Sequence, residues 1–497
     1  MQTTYEALID PDHCYRAVLS RDRRFDGVFY TGVKTTGIYC RPSCPALTPR
    51  CKNVAFYLTA AAAQGAGFRA CRRCRPDLTP GSPEWDVRAD VCGRAMKMIA
   101  DGVVDREGVT GLAARTGYTP RHLNRMLTSQ LGAGPLSLAR AQRAHTARIL
   151  IETTDMSFAD VAFAAGFSSL RQFNATVSEL FGAAPTRLRQ ARRPARPRPA
   201  PGQLTVSLPL RQPFAAGELL GFLTARAVPG IEVCDASTYS RSLRLPHGYG
   251  TVVLALHPDR VECTLTLADL RDLAAAVERC RRLLDLDADP VAIDGQLSED
   301  PVLAPHVTRR PGLRVPGHVD GFEVAVRAVV GQQISVAGAR TIVDRLVTDY
   351  GERLPDSSAL THLFPTPEAI AAADPEQLPM PKGRARALTG LAAAVATGNV
   401  VLDRSADRAD VRAALVALPG VGPWTAGYIA LRALGDPDVF LATDLGIRQG
   451  MHKLGLSGDS AGVAQRWRPW RSYASMHVWK VASEQEELEC GQQQGRS

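Results

Sequence analysis

At 497 residues the chain is too long for one core, and its length predicts three or four domains. A hydrophobic fraction of 45% with 22% charged residues excludes a disordered chain, and no apolar run reaches membrane-spanning length, so no transmembrane helix and no membrane partner are expected. The net charge of +9, carried mainly by arginine, suits a polyanionic partner without proving one.

The opening segment Met1–Cys14 has acids and no apolar stretch, so it does not read as a signal peptide and cytoplasmic residence is expected. In that compartment the 11 cysteines are not expected to form a disulfide framework. Four of them fall into a pattern: Cys40-Arg-Pro-Ser-Cys44 and Cys71-Arg-Arg-Cys74. Four thiolates from two short loops fit a tetrahedral zinc ion, and a small, thinly cored region gains from a metal staple. The bland alternatives are four buried reduced cysteines or a redox pair, the latter lacking a βαβ setting. Cys14 and Cys51 stand outside the pattern and read as incidental thiols.

The text around these cysteines carries more than a staple requires. Thr35-Thr36-Gly37-Ile38-Tyr39-Cys40, Asn53-Val54-Ala55-Phe56-Tyr57 and Gly67-Phe68-Arg69-Ala70-Cys71 closely resemble the N-terminal domain of Ada-type adaptive-response proteins. The resemblance implies that Cys40 accepts a methyl group from a DNA methylphosphotriester, with Cys40, Cys44, Cys71 and Cys74 holding one Zn2+. It also implies DNA contacts from Thr36 and Arg69. Where the family often carries phosphate-touching arginines after the second cysteine, this chain has Pro45 and Leu47. Conversion of a thiolate to a thioether removes one negative charge, so DNA affinity is expected to rise on methylation.

From Val91 to Arg189 the text is helical. A short helix, Val109–Tyr118, ends at Gly117, and Thr119-Pro120 restarts another as N-cap and first-turn proline, presenting Arg121, His122 and Arg125. After a bridging helix at Ala139–Glu152 the pattern recurs: Ser157–Phe167, then Ser168–Asn174 with Arg171 and Gln172 foremost. Phe163, Phe167 and Phe173 read as core. Two helix-turn-helix units at this spacing resemble the AraC-type DNA-binding domain, implying a transcription activator that contacts promoter DNA and RNA polymerase.

Residues Leu204–Leu284 alternate apolar and polar, as strands with an intervening helix, and their function is unreadable alone. Further on, Leu418-Pro419-Gly420-Val421-Gly422-Pro423-Trp424-Thr425-Ala426 is a helix-hairpin-helix pattern. Gly420 and Gly422 let the backbone turn sharply and approach a phosphate, whose oxygens meet N–H groups at the next helix start. Carbonyls of such a hairpin can also hold a monovalent cation. Asp444 lies downstream, after Thr443, where an N-cap is its plainest reading.

Together with Arg314-Val315-Pro316-Gly317, Gly331-Gln332-Gln333-Ile334-Ser335 and Trp467–Trp479, the hairpin and Asp444 resemble AlkA-type 3-methyladenine glycosylases over about 204–481. The resemblance implies that Asp444 is catalytic and that Trp424, Tyr428 and Trp479 form a pocket for a flipped, electron-poor base. It places the groove-inserting wedge at Gln333, where the family has an apolar residue. Lyase-competent relatives carry lysine where Trp424 stands, so a monofunctional glycosylase is expected. Iron–sulfur relatives need four C-terminal cysteines, and only Cys490 is present; no Pro-Cys-His-Arg text suggests an O6-alkylguanine transferase.

The expected fold is multidomain α+β. It comprises a small zinc-bound α/β methyl-acceptor domain (1–80), an all-α double helix-turn-helix (84–190) and a Pro/Arg-rich linker (191–202). A small antiparallel β/α domain (203–285) and an all-α helix-hairpin-helix domain (286–485) follow. The expected function is alkylation repair and response by a monomer acting on double-stranded DNA. The competing reading is a zinc-dependent regulator whose C-terminal hairpin merely anchors DNA; a pure binder has no use for Asp444.

Overall fold

The computed structural model describes residues 10–22, 25–76, 91–190, 203–355, 359–456 and 458–494. The linker expected at 191–202, the boundary expected between residues 80 and 84 and the side chain of Cys490 lie outside the described residues. By internal contacts the chain forms two units. One contains the cysteine region and the helix-turn-helices, the other the helix-hairpin-helix body.

In the first unit a four-stranded sheet runs in the order β3-β1-β2-β4. Its strands are β1 (Tyr30–Val33), β2 (Ile38–Cys40), β3 (Val54–Tyr57) and β4 (Arg69–Ala70). β1 is antiparallel to both β2 and β3, while β4 lies parallel to β2 with Tyr39 opposite Ala70. That parallel pairing is what brings the two cysteine loops together. Cys40 ends β2, Cys71 directly follows β4, and the Cys71 N–H donates to the Tyr39 carbonyl at 3.0 Å. Gly32 is required by close approach: a Cβ there would lie 2.9 Å from Tyr57 and 3.0 Å from Phe68, whose rings close over the strand.

Two of the expected helix boundaries, the stop at Gly117 and the start at Thr119-Pro120, are observed. Val103–Thr116 is broken at Gly108, with φ +69°, so the helix expected over Val109–Tyr118 is its second half, stopped by Gly117 at φ +78°. Thr119 then caps Pro120–Leu131, its hydroxyl accepting the His122 N–H at 3.3 Å. The bridging helix is longer than expected, Pro135–Thr153, because Pro135 starts it at the first turn. Phe158–Ala164 and Leu170–Phe181 form the second helix-turn-helix, capped by Ser157 and Ser169. Phe167 and Phe173 are buried, as expected. Phe163 is not core: it is 61% exposed, with the Arg271 guanidinium 5.3 Å from its ring. Its helix buries Val161, Ala162 and Ala164, which leaves residue 163 on the outward face.

A second sheet takes the order β5-β9-β8-β7-β6. It comprises β5 (Gln203–Leu208), β6 (Glu232–Cys234), β7 (Thr238–Leu245), β8 (Gly248–Leu256) and β9 (Val261–Leu267). β5 pairs antiparallel with β9 and β6 with β7, and helix Ala216–Arg226 enters between β5 and β6. From Arg282 on, the second unit is mainly helical. Its core is organised by Gly321–Val330, in which every residue but Arg327 is buried. Among the described residues no helix is long and apolar enough to cross a membrane.

Candidate functional sites

The sulfur atoms of Cys40, Cys44, Cys71 and Cys74 all lie within 4.8 Å of one another. A tetrahedron with zinc–sulfur bonds of about 2.3 Å needs sulfurs roughly 3.8 Å apart, so the four fit one such ion. Cys71 and Cys74 are buried, while Cys40 and Cys44 are partly open. With protons rather than a metal on the sulfurs, hydrogen bonding between Cys40 and Cys44 splits them: Cys40 is pushed up and Cys44 down to about 7. A residue not singled out in the sequence braces the first loop. Buried Asp26 accepts from the Ser43 N–H at 3.0 Å and the Ser43 hydroxyl at 2.5 Å, and pairs with Arg41 at 3.4 Å. An isolated aspartate far upstream gives no sequence signal for this.

Thr36 is exposed in the β1–β2 turn, where its hydroxyl donates to the Val33 carbonyl at 3.4 Å. Arg69 lies beside the end of the second recognition helix: a Cβ on Gly182 would come within 2.8 Å of its guanidinium. Arg72 donates to the Gly182 carbonyl and Arg75 pairs with Glu152. Guanidinium groups at the C-terminus of Leu170–Phe181 complement the negative end of its dipole. In the first recognition helix Arg121 and Arg125 are exposed and His122 is partly exposed. His122 stacks on Tyr118 at 5.2 Å and shares a hydrogen bond with Arg125 at 3.2 Å. Arg171 and Gln172 are likewise exposed on the second, the Gln172 amide oxygen accepting from Ser168 at 3.0 Å.

In the second unit, Gly420 has φ +80°, and a Cβ there would meet that of Ala387 at 2.5 Å, so only glycine fits. Gly422 has ordinary extended backbone and caps Pro423–Arg432, with open space where its side chain would be. Gln332 ties the preceding loop to this hairpin, donating to the Gly420 carbonyl at 3.1 Å and the Thr425 hydroxyl at 2.8 Å. Gln333 is exposed with φ +57°, a strained conformation for a non-glycine residue.

Asp444 caps Leu445–Lys453 by accepting the Ile447 N–H at 3.0 Å. It also accepts two indole N–H groups, Trp424 at 3.0 Å and Trp479 at 2.8 Å. The plain N-cap reading and the functional one therefore describe the same carboxylate. Trp424 stacks on Tyr428, centroids 5.5 Å apart at 22°. Asp444, Trp424, Tyr428 and Trp479 all line one cleft of about 660 Å³. Phe222 and Arg226, from the helix before β6, line it too. The sequence hid both, since their helix lies in a segment with no motif. Acidic and basic groups crowd one part of the lining: Arg241 and Arg327 bridge Glu232 and Glu323 at 2.6 to 3.5 Å.

Comparison with known proteins gives four matches along the chain. These are the metal binding domain of Ada (13–77), a helix-turn-helix domain (112–191), the AlkA N-terminal domain (205–320) and the HhH-GPD superfamily of base excision DNA repair proteins (326–470). A probable bifunctional transcriptional activator/DNA repair enzyme AlkA of Mycobacterium tuberculosis is 55% identical over 477 residues, spanning 95% of this chain and 96% of that one. DNA-3-methyladenine glycosylase 2 of Escherichia coli is 40% identical over 274 residues, covering 54% of this chain and 94% of that protein. A 3-methyladenine DNA glycosylase from Archaeoglobus fulgidus shares the fold, with TM-score 0.50 at 20% identity over 56% of this chain and 98% of that one. The chain belongs to the family of bifunctional transcriptional activator/DNA repair enzymes, joining an Ada-type metal-binding domain and a helix-turn-helix to an AlkA-type glycosylase fold.

Proposed function

We propose that this protein repairs alkylated DNA at two separate centres: it accepts methyl groups from methylphosphotriesters at Cys40 and hydrolytically excises alkylated bases such as 3-methyladenine at Asp444. The observation that carries the second half is the carboxylate of Asp444, held by two indole N–H groups and one backbone N–H beside stacked aromatic rings.

Three donors fix the carboxylate's orientation and leave it better suited to electrostatic stabilisation than to forming a bond. An alkylated purine is a good leaving group, and its departure leaves positive charge on the sugar. Asp444 stabilises that oxocarbenium ion and orients the attacking water, while Trp424, Tyr428 and Trp479 hold the flipped base. With Trp424 where a lyase carries lysine, no Schiff base forms, and the product is an abasic site. Gly420 and Gly422 present backbone N–H groups to the DNA phosphate, hairpin carbonyls would hold a monovalent cation, and Gln333 enters the groove as the wedge.

At the other centre Cys40, Cys44, Cys71 and Cys74 would hold Zn2+, which keeps the sulfurs deprotonated yet electron-rich. The Cys40 sulfur attacks the methyl carbon; the carbon–oxygen bond breaks, its electron pair stays on the phosphate oxygen, and a diester and a thioether result. Each molecule reacts once. Loss of one negative charge strengthens DNA binding, in which Thr36 and Arg69 take part. The helices bearing Arg121, His122, Arg125, Arg171 and Gln172 then hold promoter DNA for RNA polymerase. The protein acts as a monomer. Free-base release from methylated duplex DNA tests the glycosylase half: the reading expects release by wild type and its near-complete loss in Asp444→Asn.

A further inference from the structure

We propose that Arg226 and Tyr428 form a donor edge that recognises an exocyclic carbonyl on the flipped base. They would thereby set how fast carbonyl-bearing alkylated bases of the 7-methylguanine class leave relative to 3-methyladenine. This inference rests on the glycosylase reading of the cleft and adds a substrate-sorting element to it.

Each of the three nitrogens of Arg432 donates a hydrogen bond. It donates to the carbonyls of Pro316 and Gly317, the latter at 3.1 Å, and to the Tyr428 hydroxyl oxygen at 2.9 Å. It is a fixed positive group against the phenol. Arg226 is the second: its guanidinium lies 3.8 Å from the centroid of the Phe222 ring, and one N–H donates to the Phe222 carbonyl at 3.3 Å. The Arg432 guanidinium is 4.8 Å from the same ring. Phe222 thus holds both cations by its face.

The nearby carboxylates do not neutralise these two. Glu232 and Glu323 are taken by Arg241 and Arg327. No ion pair to a carboxylate joins Arg226 or Arg432 among the described residues. Tyr428 responds to this field. Burial raises its phenol, but Arg432, Arg226 and Arg327 outweigh that and hold it below the ordinary tyrosine value.

The direction of the hydroxyl proton follows. Guanidinium groups carry donors only, so the phenol's lone pairs turn toward them and its own O–H turns away. Tyr428 and Arg226 both line the cleft, and each can offer a ligand only a donor. A carbonyl oxygen, with two lone pairs, satisfies both. An amino group at the same place meets two donors and finds no acceptor. Guanine carries a carbonyl where adenine carries an amine, so the edge favours alkylated guanine over what stacking and leaving-group strength alone would give.

The test uses the full-length protein on duplex DNA bearing both 7-methylguanine and 3-methyladenine, comparing wild type, Tyr428→Phe and Arg226→Gln. Phenylalanine keeps the ring and removes only the donor. The ratio of initial release rates, 7-methylguanine to 3-methyladenine, is expected to fall about tenfold in each variant. An unchanged ratio with both bases still released overturns the donor edge and leaves the glycosylase reading standing. Release of neither base by wild type removes both. A second readout does not depend on activity: the phenolate absorbance of Tyr428, taken as wild type minus Tyr428→Phe, should appear at lower pH than free tyrosine and shift upward in Arg226→Gln. A signal that does not move contradicts the contribution of Arg226.

Discussion

The cysteine centre is drawn from two loops about thirty residues apart, set at one end of a small sheet by the parallel pairing of β2 with β4. The aspartate cleft gathers Phe222, Trp424, Asp444 and Trp479 from helices spread over half the chain. The first has four like groups close together, which repel once ionised, and so depends on a bound cation for its final form. The second is held by a continuous apolar core and by hydrogen bonds already in place. One centre is therefore conditional on metal, and the other is preorganised by packing.

Removing the metal is the strongest way to separate them. A chelator is expected to abolish methyl uptake and to destabilise the cysteine region, while base release stays within about twofold of the untreated protein. Loss of both activities on chelation would mean that the centres are coupled.

Acid should release zinc from the thiolates and also weaken the packed body. His318 is pushed down to about 3 by burial and by the Arg282 and Arg404 cations, and His477 to about 4 by burial, His306 and Arg310. Unfolded histidines take up protons near pH 6.5 while these two stay neutral, so folding stability is full above that value and falls as pH drops toward 4. At pH 5 the loss is about 2 kcal/mol for each, read as a lowered unfolding midpoint; His477→Gln should flatten the pH slope.

Trp479→Phe removes one of the two indole donors to Asp444 and keeps an aromatic face. Base release should slow by about ten- to a hundredfold with methyl uptake intact. A rate within twofold of wild type would show that the donor does not matter to the carboxylate.

The smallest effect is expected at Gln333, whose φ of +57° a glycine adopts freely. Gln333→Gly should raise stability by about 1 kcal/mol in denaturant unfolding while weakening binding to damaged DNA if the side chain serves as the wedge. Unchanged binding would assign the insertion to another residue of that loop, such as the partly exposed Ile334.

Legibility in the sequence followed the same division. Cys40, Cys44, Cys71 and Cys74 were readable because metal ligation imposes a spacing, and Gly420 because a backbone turn demands glycine. Thr119 announced its helix, since capping is a local event, whereas the caps Ser157 and Ser169 emerged only in the structure. Phe222, Arg226 and Asp26 were not readable: each acts through a contact with residues distant in sequence, and nothing in its neighbours marks it. Phe163 was misread as core because an aromatic in a short amphipathic helix points either way until the packing face is known. Arg69 was assigned to DNA by resemblance alone; that its guanidinium also lies beside Gly182, 113 residues on, no motif could name.

The central claim, two separable alkyl chemistries in one chain, is tested most directly with duplex DNA carrying labelled methyl groups. Wild type, Cys40→Ala and Asp444→Asn are compared for label bound covalently to protein and label released as free base. The account predicts a crossed result: Cys40→Ala releases base and takes up no label, and Asp444→Asn takes up label while base release falls by about a hundredfold or more. Loss of both activities in either variant, or of neither, would contradict it.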